Sequence, residues 1–125
     1  MDKTRTLQDI FPLQKRYVVD YDLEDRKVVL EDLRFPAGWQ PDAGDVLFKL
    51  PEDYPKSQPK VYVSGEMRYH GGRPENMYRS RKGWAKWCIH QLKWDRRRHT
   101  LVTVTRMLMT SLNDPNADNP VRNAV

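Results

Sequence analysis

Cys88 is the one side chain in this sequence with strong intrinsic nucleophilicity, and its surroundings decide what that sulfur can do. Trp87 and Ile89 flank it, with Lys86 and His90 one step further out. Cationic neighbours favour the thiolate, the form that attacks thioesters and other carbonyls, so one reading is a reactive cysteine. The other is a buried structural cysteine packed beside Trp87. A single cysteine excludes an internal disulfide and any zinc site built on paired cysteines. His70, His90 and His99 have no recognised ligand spacing with Cys88, so neither a metal nor another cofactor is expected. A Cys–His dyad would need His70 or His99 oriented by a distant Asn or Asp.

The charge is gathered around this cysteine. Glu66 to His99 holds ten Lys/Arg against three Asp/Glu, whereas the rest of the chain is slightly acidic, so the whole positive excess surrounds Cys88. Arg81, Lys82, Lys86, Arg96 and Arg97 are the candidate partner-binding cations, suited to an acidic protein surface. Basic residues interleaved with Tyr78, Trp84, Trp87 and Trp94 also suit phosphate contacts and base stacking, which keeps a nucleic-acid-binding module open as an alternative. No RNA-binding signature such as GXXG accompanies them.

These side chains need a scaffold, and 125 residues with 38% hydrophobic content suffice for one domain over 1–125 with a real core. No apolar run is long enough to span a bilayer, and MDKTRTLQDIF has no signal-peptide stretch, so the expected setting is cytoplasmic. Leu7, Ile10, Phe11 and Gln14 fall on one stripe and predict a short N-terminal helix over Thr4–Gln14, irregular or cut short at Pro12. Arg16–Asp22 and Lys27–Leu33 read as a hairpin about the turn Leu23–Arg26. Asp45–Leu50 is a third strand and Lys60–Val63 a fourth, joined by a stiff connector with prolines at 51, 55 and 59. The expected fold class is therefore α+β, with a four-stranded antiparallel meander. From Ser64 to His99 periodicity is lost, and so long an irregular stretch reads as a functional loop. Leu101, Val104, Leu108 and Leu112 then predict a helix over Thr100–Leu112, against the β-branched run Val102–Thr105. Asn113-Asp114-Pro115 stops it, and residues 116–125 read as a loose tail.

Three passages, in order, resemble the ubiquitin-conjugating enzyme (UBC) family. LPEDYPKSQPKVYV, Leu50 to Val63, is similar to that family's "FP-x-x-YP-x-x-PP-x-V-x-F" link between its third and fourth strands, with Gln58 replacing the first proline of the pair. CIHQLKW, Cys88 to Trp94, resembles the "C-L-x-x-L-x-x-x-W" around the catalytic cysteine. His99 to Leu112, followed by NDPNADNP, resembles the helix after the active site and its "L-x-x-P-N-P-x-x-P" ending. The resemblance covers roughly Leu7 to Pro120 and implies a UBC-like fold with Cys88 catalytic, accepting a ubiquitin-like protein as a thioester and passing it to an amine.

The departures are informative. Where the family carries His-Pro-Asn, whose Asn is associated with the oxyanion, this chain has Tyr69-His70-Gly71-Gly72, and the segment from His70 to Cys88 is longer. His70 fits the histidine; the Gly71–Gly72 backbone and the Asn76 amide are the two candidate oxyanion donors, and His90 a candidate for tuning the thiol. Short members with unusual triplets resemble those of prokaryotic conjugation operons. That implies as partners a ubiquitin-like protein, a ThiF-type activating enzyme and a JAB-type metallopeptidase. A non-catalytic module that binds a ubiquitin-like protein stays open beside the enzyme reading.

Overall fold

The computed structural model describes residues 1–79, 82–89 and 92–116. The first helix, α1 (Lys3–Gln14), starts where the Asp2 carboxylate accepts the Arg5 N–H at 3.0 Å. Its inward face is Thr6, Asp9, Ile10 and Leu13, which corrects the expected stripe: Phe11 is 55% exposed. Hydrophobicity alone misjudges the rotation because Asp9 turns inward with partners of its own. Its two carboxylate oxygens each accept from Arg5 Nε at 3.0 Å, and one also accepts the Tyr54 hydroxyl at 2.5 Å. A buried charge is tolerated when it is paired and hydrogen-bonded in this way. Pro12 neither cuts nor ends the helix early, because it lies in the last turn, where a single backbone bond is forgone.

Eight strands follow: β1 (Val18–Asp22), β2 (Lys27–Arg34), β3 (Trp39–Gln40), β4 (Ala43–Lys49), β5 (Lys60–Ser64), β6 (Arg68–Tyr69), β7 (Met77–Arg79) and β8 (Trp84–Trp87). Six make one antiparallel sheet in the order β1-β2-β4-β5-β8-β7, two more than expected. The added pair comes from the stretch read as a structureless loop. Its alternation is only four residues long in β8, where Ala85 and Trp87 turn inward and Lys86 outward, too brief to stand out beside Gly and Arg. In β2 the inward residues are Val28, Leu30 and Leu33. A bulge between Leu30 and Leu33, with Asp32 at φ 55°, resets the alternation so that both leucines face the core.

The second helix, α2 (Leu101–Asn113), starts at a capping box in which Val102 N–H donates to Thr100 Oγ1 and Thr100 N–H to Thr103 Oγ1. The β-branched run stays helical because Thr100 and Thr103 cap the first turn and Thr105 Oγ1 donates to the Leu101 carbonyl. Leu101, Val104, Leu108 and Leu112 join Val28, Leu30, Val46, Phe48 and Val63 in one buried cluster, each at most 1% exposed. Complete burial of such a side chain contributes about 1.5–3 kcal/mol, so this contact holds helix to sheet. The small pair β3 and β6 adds Trp39, whose ring lies 5.7 Å from that of Trp87 and whose indole N–H donates to the Leu112 carbonyl. Of the tail expected over 116–125, Asn116 is described and residues 117–125 lie outside the described residues. Among the described residues, no helix is long and apolar enough to cross a membrane.

Candidate active site

Cys88 follows directly on β8 and is half-buried. The strand end that carries it is fastened on both sides. On the inward side, the residue before it, Trp87, is 1% exposed, and its indole N–H donates to Ser111 Oγ on α2 at 2.8 Å. On the β7 side, the Cys88 backbone N–H donates to the Asn76 carbonyl at 2.9 Å. The thiol borders a cleft of about 270 Å³, whose wall includes Gln58, Pro59, Lys60, Lys86, Ile89 and Val104. Cys88 is thus held by its backbone, with its side chain at an open cleft rather than walled into the core.

Behind the cysteine, the loop Lys93–His99 is braced from three directions. Trp94 Nε1 donates to the Pro55 carbonyl at 2.7 Å, so the proline connector holds the loop from one side. Arg5, already paired with Asp9, donates to the carbonyls of Arg96 and His99, both at 2.8 Å, and ties the loop to α1. Within the loop, His99 Nδ1 accepts from the Asp95 N–H, and Asp95 Oδ1 accepts from the Arg97 N–H. Burial, followed by the bond to Asp9 and that carboxylate's charge, pushes the Tyr54 hydroxyl well above the ordinary tyrosine range; Arg5 acts weakly in the other direction. The polar core under the loop is therefore a neutral phenol donating to a paired carboxylate.

The candidate residues separate into groups. Lys86 shares the Cys88 cleft. Asn76 lies beside Cys88 through its backbone, but it is 2% exposed and its carboxamide donates to the Pro115 carbonyl beyond α2. His70 and Gly71 form a tight turn with φ of 48° and 81°, in which the Gly72 N–H donates to the Tyr69 carbonyl and the His70 N–H to that of Gly38. That turn packs on Trp39 through Tyr69, and none of His70, Gly71 or Gly72 lines the Cys88 cleft. Nor does His99, which sits in the braced loop. Lys82 stands at φ 57° in the turn between β7 and β8, and Lys82, Arg96 and Arg97 are all exposed. Arg81 and His90 lie outside the described residues. Among the described residues, no three His, Cys, Asp or Glu side chains gather to hold a metal ion.

Two cleft residues escaped sequence reasoning. Gln58 counted only as a departure from a proline pair, and Lys60 only as the first residue of a strand. What brings them to Cys88 is the pairing of β5 with β8, a contact between segments far apart in sequence. No local pattern carries that information. Of the tryptophans weighed for base stacking, Trp87 is core and Trp94 is half-buried with its N–H engaged.

No curated protein and no solved structure matches the chain. A family model described as Prokaryotic E2 family E matches residues 13–114. That span runs from the last turn of α1 through the sheet and Cys88 to the end of α2, and the chain belongs to this prokaryotic E2 family.

Proposed function

We propose that this protein is a thioester carrier: Cys88 accepts the C-terminal acyl group of a ubiquitin-like protein from an activating enzyme and passes it to an amine. Family membership implies E2-like function in general, with a ubiquitin-like protein and an activating enzyme as partners. The observation that carries the finer reading is the position of Cys88, half-exposed on a fastened strand end beside an open cleft. A carrier needs a nucleophile whose backbone does not move and whose sulfur a peptide tail can reach.

In the loading step, the Cys88 thiolate attacks the carbonyl carbon of the incoming thioester. A tetrahedral oxyanion forms and collapses, and the activating enzyme's thiolate leaves. Exchange of one thioester for another is nearly isoenergetic, so the barrier rests on positioning and on a hydrogen-bond donor for the oxyanion. Gly72 N–H and the Asn76 carboxamide are both engaged elsewhere. Gln58 brings a carboxamide into the Cys88 cleft, at the position where the UBC-type connector has a proline, and is the donor we assign. Lys82, Lys86, Arg96 and Arg97 form an exposed cationic rim suited to an acidic partner.

With activating enzyme, ubiquitin-like protein and ATP supplied, the wild-type chain is expected to form an adduct that thiol reductant removes. Cys88→Ala is expected to form none, and Cys88→Ser a reductant-resistant ester. An adduct of equal yield on Cys88→Ala would defeat the carrier reading.

A further inference from the structure

The cleft that exposes Cys88 also holds two primary amines, those of Lys60 and Lys86. Val61 pairs with Trp87 across β5 and β8, and carrying that antiparallel register on by one residue sets Lys60 opposite Cys88. Directly opposed residues have Cβ atoms about 4.5–5.5 Å apart, a gap that a lysine stem spans easily. Lys86 precedes Cys88 by two residues on the same chain segment, about 7 Å away along the strand direction. Pro59 lines the cleft immediately before Lys60, and its locked φ stiffens the root of that side chain.

The two amines are also unencumbered. Among the described residues, neither Lys60 nor Lys86 makes a side-chain hydrogen bond or ion pair, and both are exposed. Lys49, the neighbour of Lys60 in the β4–β5 register, is by contrast bound to the Asp25 carbonyl, and Lys3 is paired with Glu24. The basic residues of the Lys93–His99 loop are mostly arginines, which stay protonated and offer no nucleophilic form. A free lysine opposite the thioester-bearing sulfur is a different chemical object from that rim.

We propose that Lys60 is an internal acceptor, so that the acyl group held on Cys88 is discharged onto the chain's own Lys60 Nζ. The inference rests on the carrier reading above. Lys60 first gives an ammonium proton to solvent. Its neutral amine then attacks the thioester carbonyl carbon, the C–N bond forms and the C–S bond breaks. Cys88 leaves as a thiolate, and the second nitrogen proton goes to solvent or to that sulfur. A thioester and an amine become an amide and a thiol, with no oxidant or reductant involved. Because both groups sit on neighbouring strands, the step is unimolecular and gains the effective concentration of a tethered nucleophile. The product is a carrier permanently joined to its cargo, and this drain competes with delivery to other amines.

A synthetic peptide ending in Gly-Gly, activated as a mercaptoethanesulfonate thioester, tests this on the full chain by intact-mass spectrometry before and after thiol treatment. The expected course is a thiol-labile adduct on Cys88 that converts, at unchanged mass, into a thiol-resistant one mapped to Lys60 by fragmentation, faster at higher pH. Lys60→Arg keeps the charge; it is expected to form the labile adduct normally and to slow conversion at least tenfold. The proposal is overturned if the labile adduct persists, if the resistant label sits on Lys86 or elsewhere, or if Lys60→Arg converts as fast. Equal labelling of Lys60 in Cys88→Ala would overturn it too, by showing direct acylation. Absence of any labile adduct would remove the carrier reading along with it, an outcome distinct from a labile adduct that never moves.

Discussion

The Cys88 backbone N–H and the Asn76 carbonyl meet at 2.9 Å, while the Asn76 carboxamide donates to the Pro115 carbonyl. One buried residue therefore joins the nucleophile's strand end to the segment that follows α2. Glu75 strengthens the same junction, its N–H donating to Asn116 Oδ1 at 3.0 Å.

Asn76 is a brace in this arrangement, not an oxyanion donor. Asn76→Ala keeps the backbone bond to Cys88 but leaves the buried Pro115 carbonyl short of a donor. The expected cost is about 1–3 kcal/mol in denaturant unfolding, with loading per folded molecule changed less than threefold. A loss of loading far beyond the loss of folded protein would return Asn76 to the catalytic step.

Gln58→Ala should do the opposite. The side chain is exposed, so stability should stay within about 0.5 kcal/mol of wild type. Removing an oxyanion donor typically slows the chemical step by about 10²–10³. Single-turnover loading and discharge at saturating partner would read this directly, and an unchanged rate would clear Gln58 of the role.

Tyr54 makes stability depend on alkaline pH. Its hydroxyl ionises near pH ~10 in an unfolded chain but stays protonated well beyond that in the fold. The unfolded state therefore sheds this proton first. The stabilisation is complete below pH ~10 and is lost as pH rises from there towards the folded-state value. Urea unfolding followed across the alkaline range should show this fall. Tyr54→Phe should flatten it, and at neutral pH should lose about 1–3 kcal/mol because Asp9 keeps only Arg5.

Trp87→Phe removes the indole N–H that donates to Ser111 Oγ and leaves a small void beside Trp39. A loss of about 1–3 kcal/mol is expected. The strand end should also loosen, so iodoacetamide labelling of Cys88 in the native protein should accelerate; unchanged labelling would show that the indole bond does not restrain the cysteine.

Much of the scaffold was legible in the chain itself. Val and Tyr alternation marked β1 and β2, and the spacing Leu101, Val104, Leu108, Leu112 marked α2, because these elements bury one face each and repeat with the period of their backbone. The three motif passages, in order, also pointed to the family and to Cys88. The rotation of α1 was not legible, since Asp9 goes inside only because Tyr54, 45 residues away, meets it there. The pair β7 and β8 was hidden for a related reason: strands of three and four residues are too short to show a period, and pairing alone makes them visible.

The candidate site divides along the same line. Sequence by itself determined which sulfur is available and that basic residues crowd its neighbourhood, because residue type and local order are one-dimensional properties. Tertiary structure decided which of the many candidates stand near it. Strand register, a relation between distant segments, sets Asn76 and Lys60 on either side of Cys88 and leaves the His70–Gly71 turn packed against Trp39, away from the cleft.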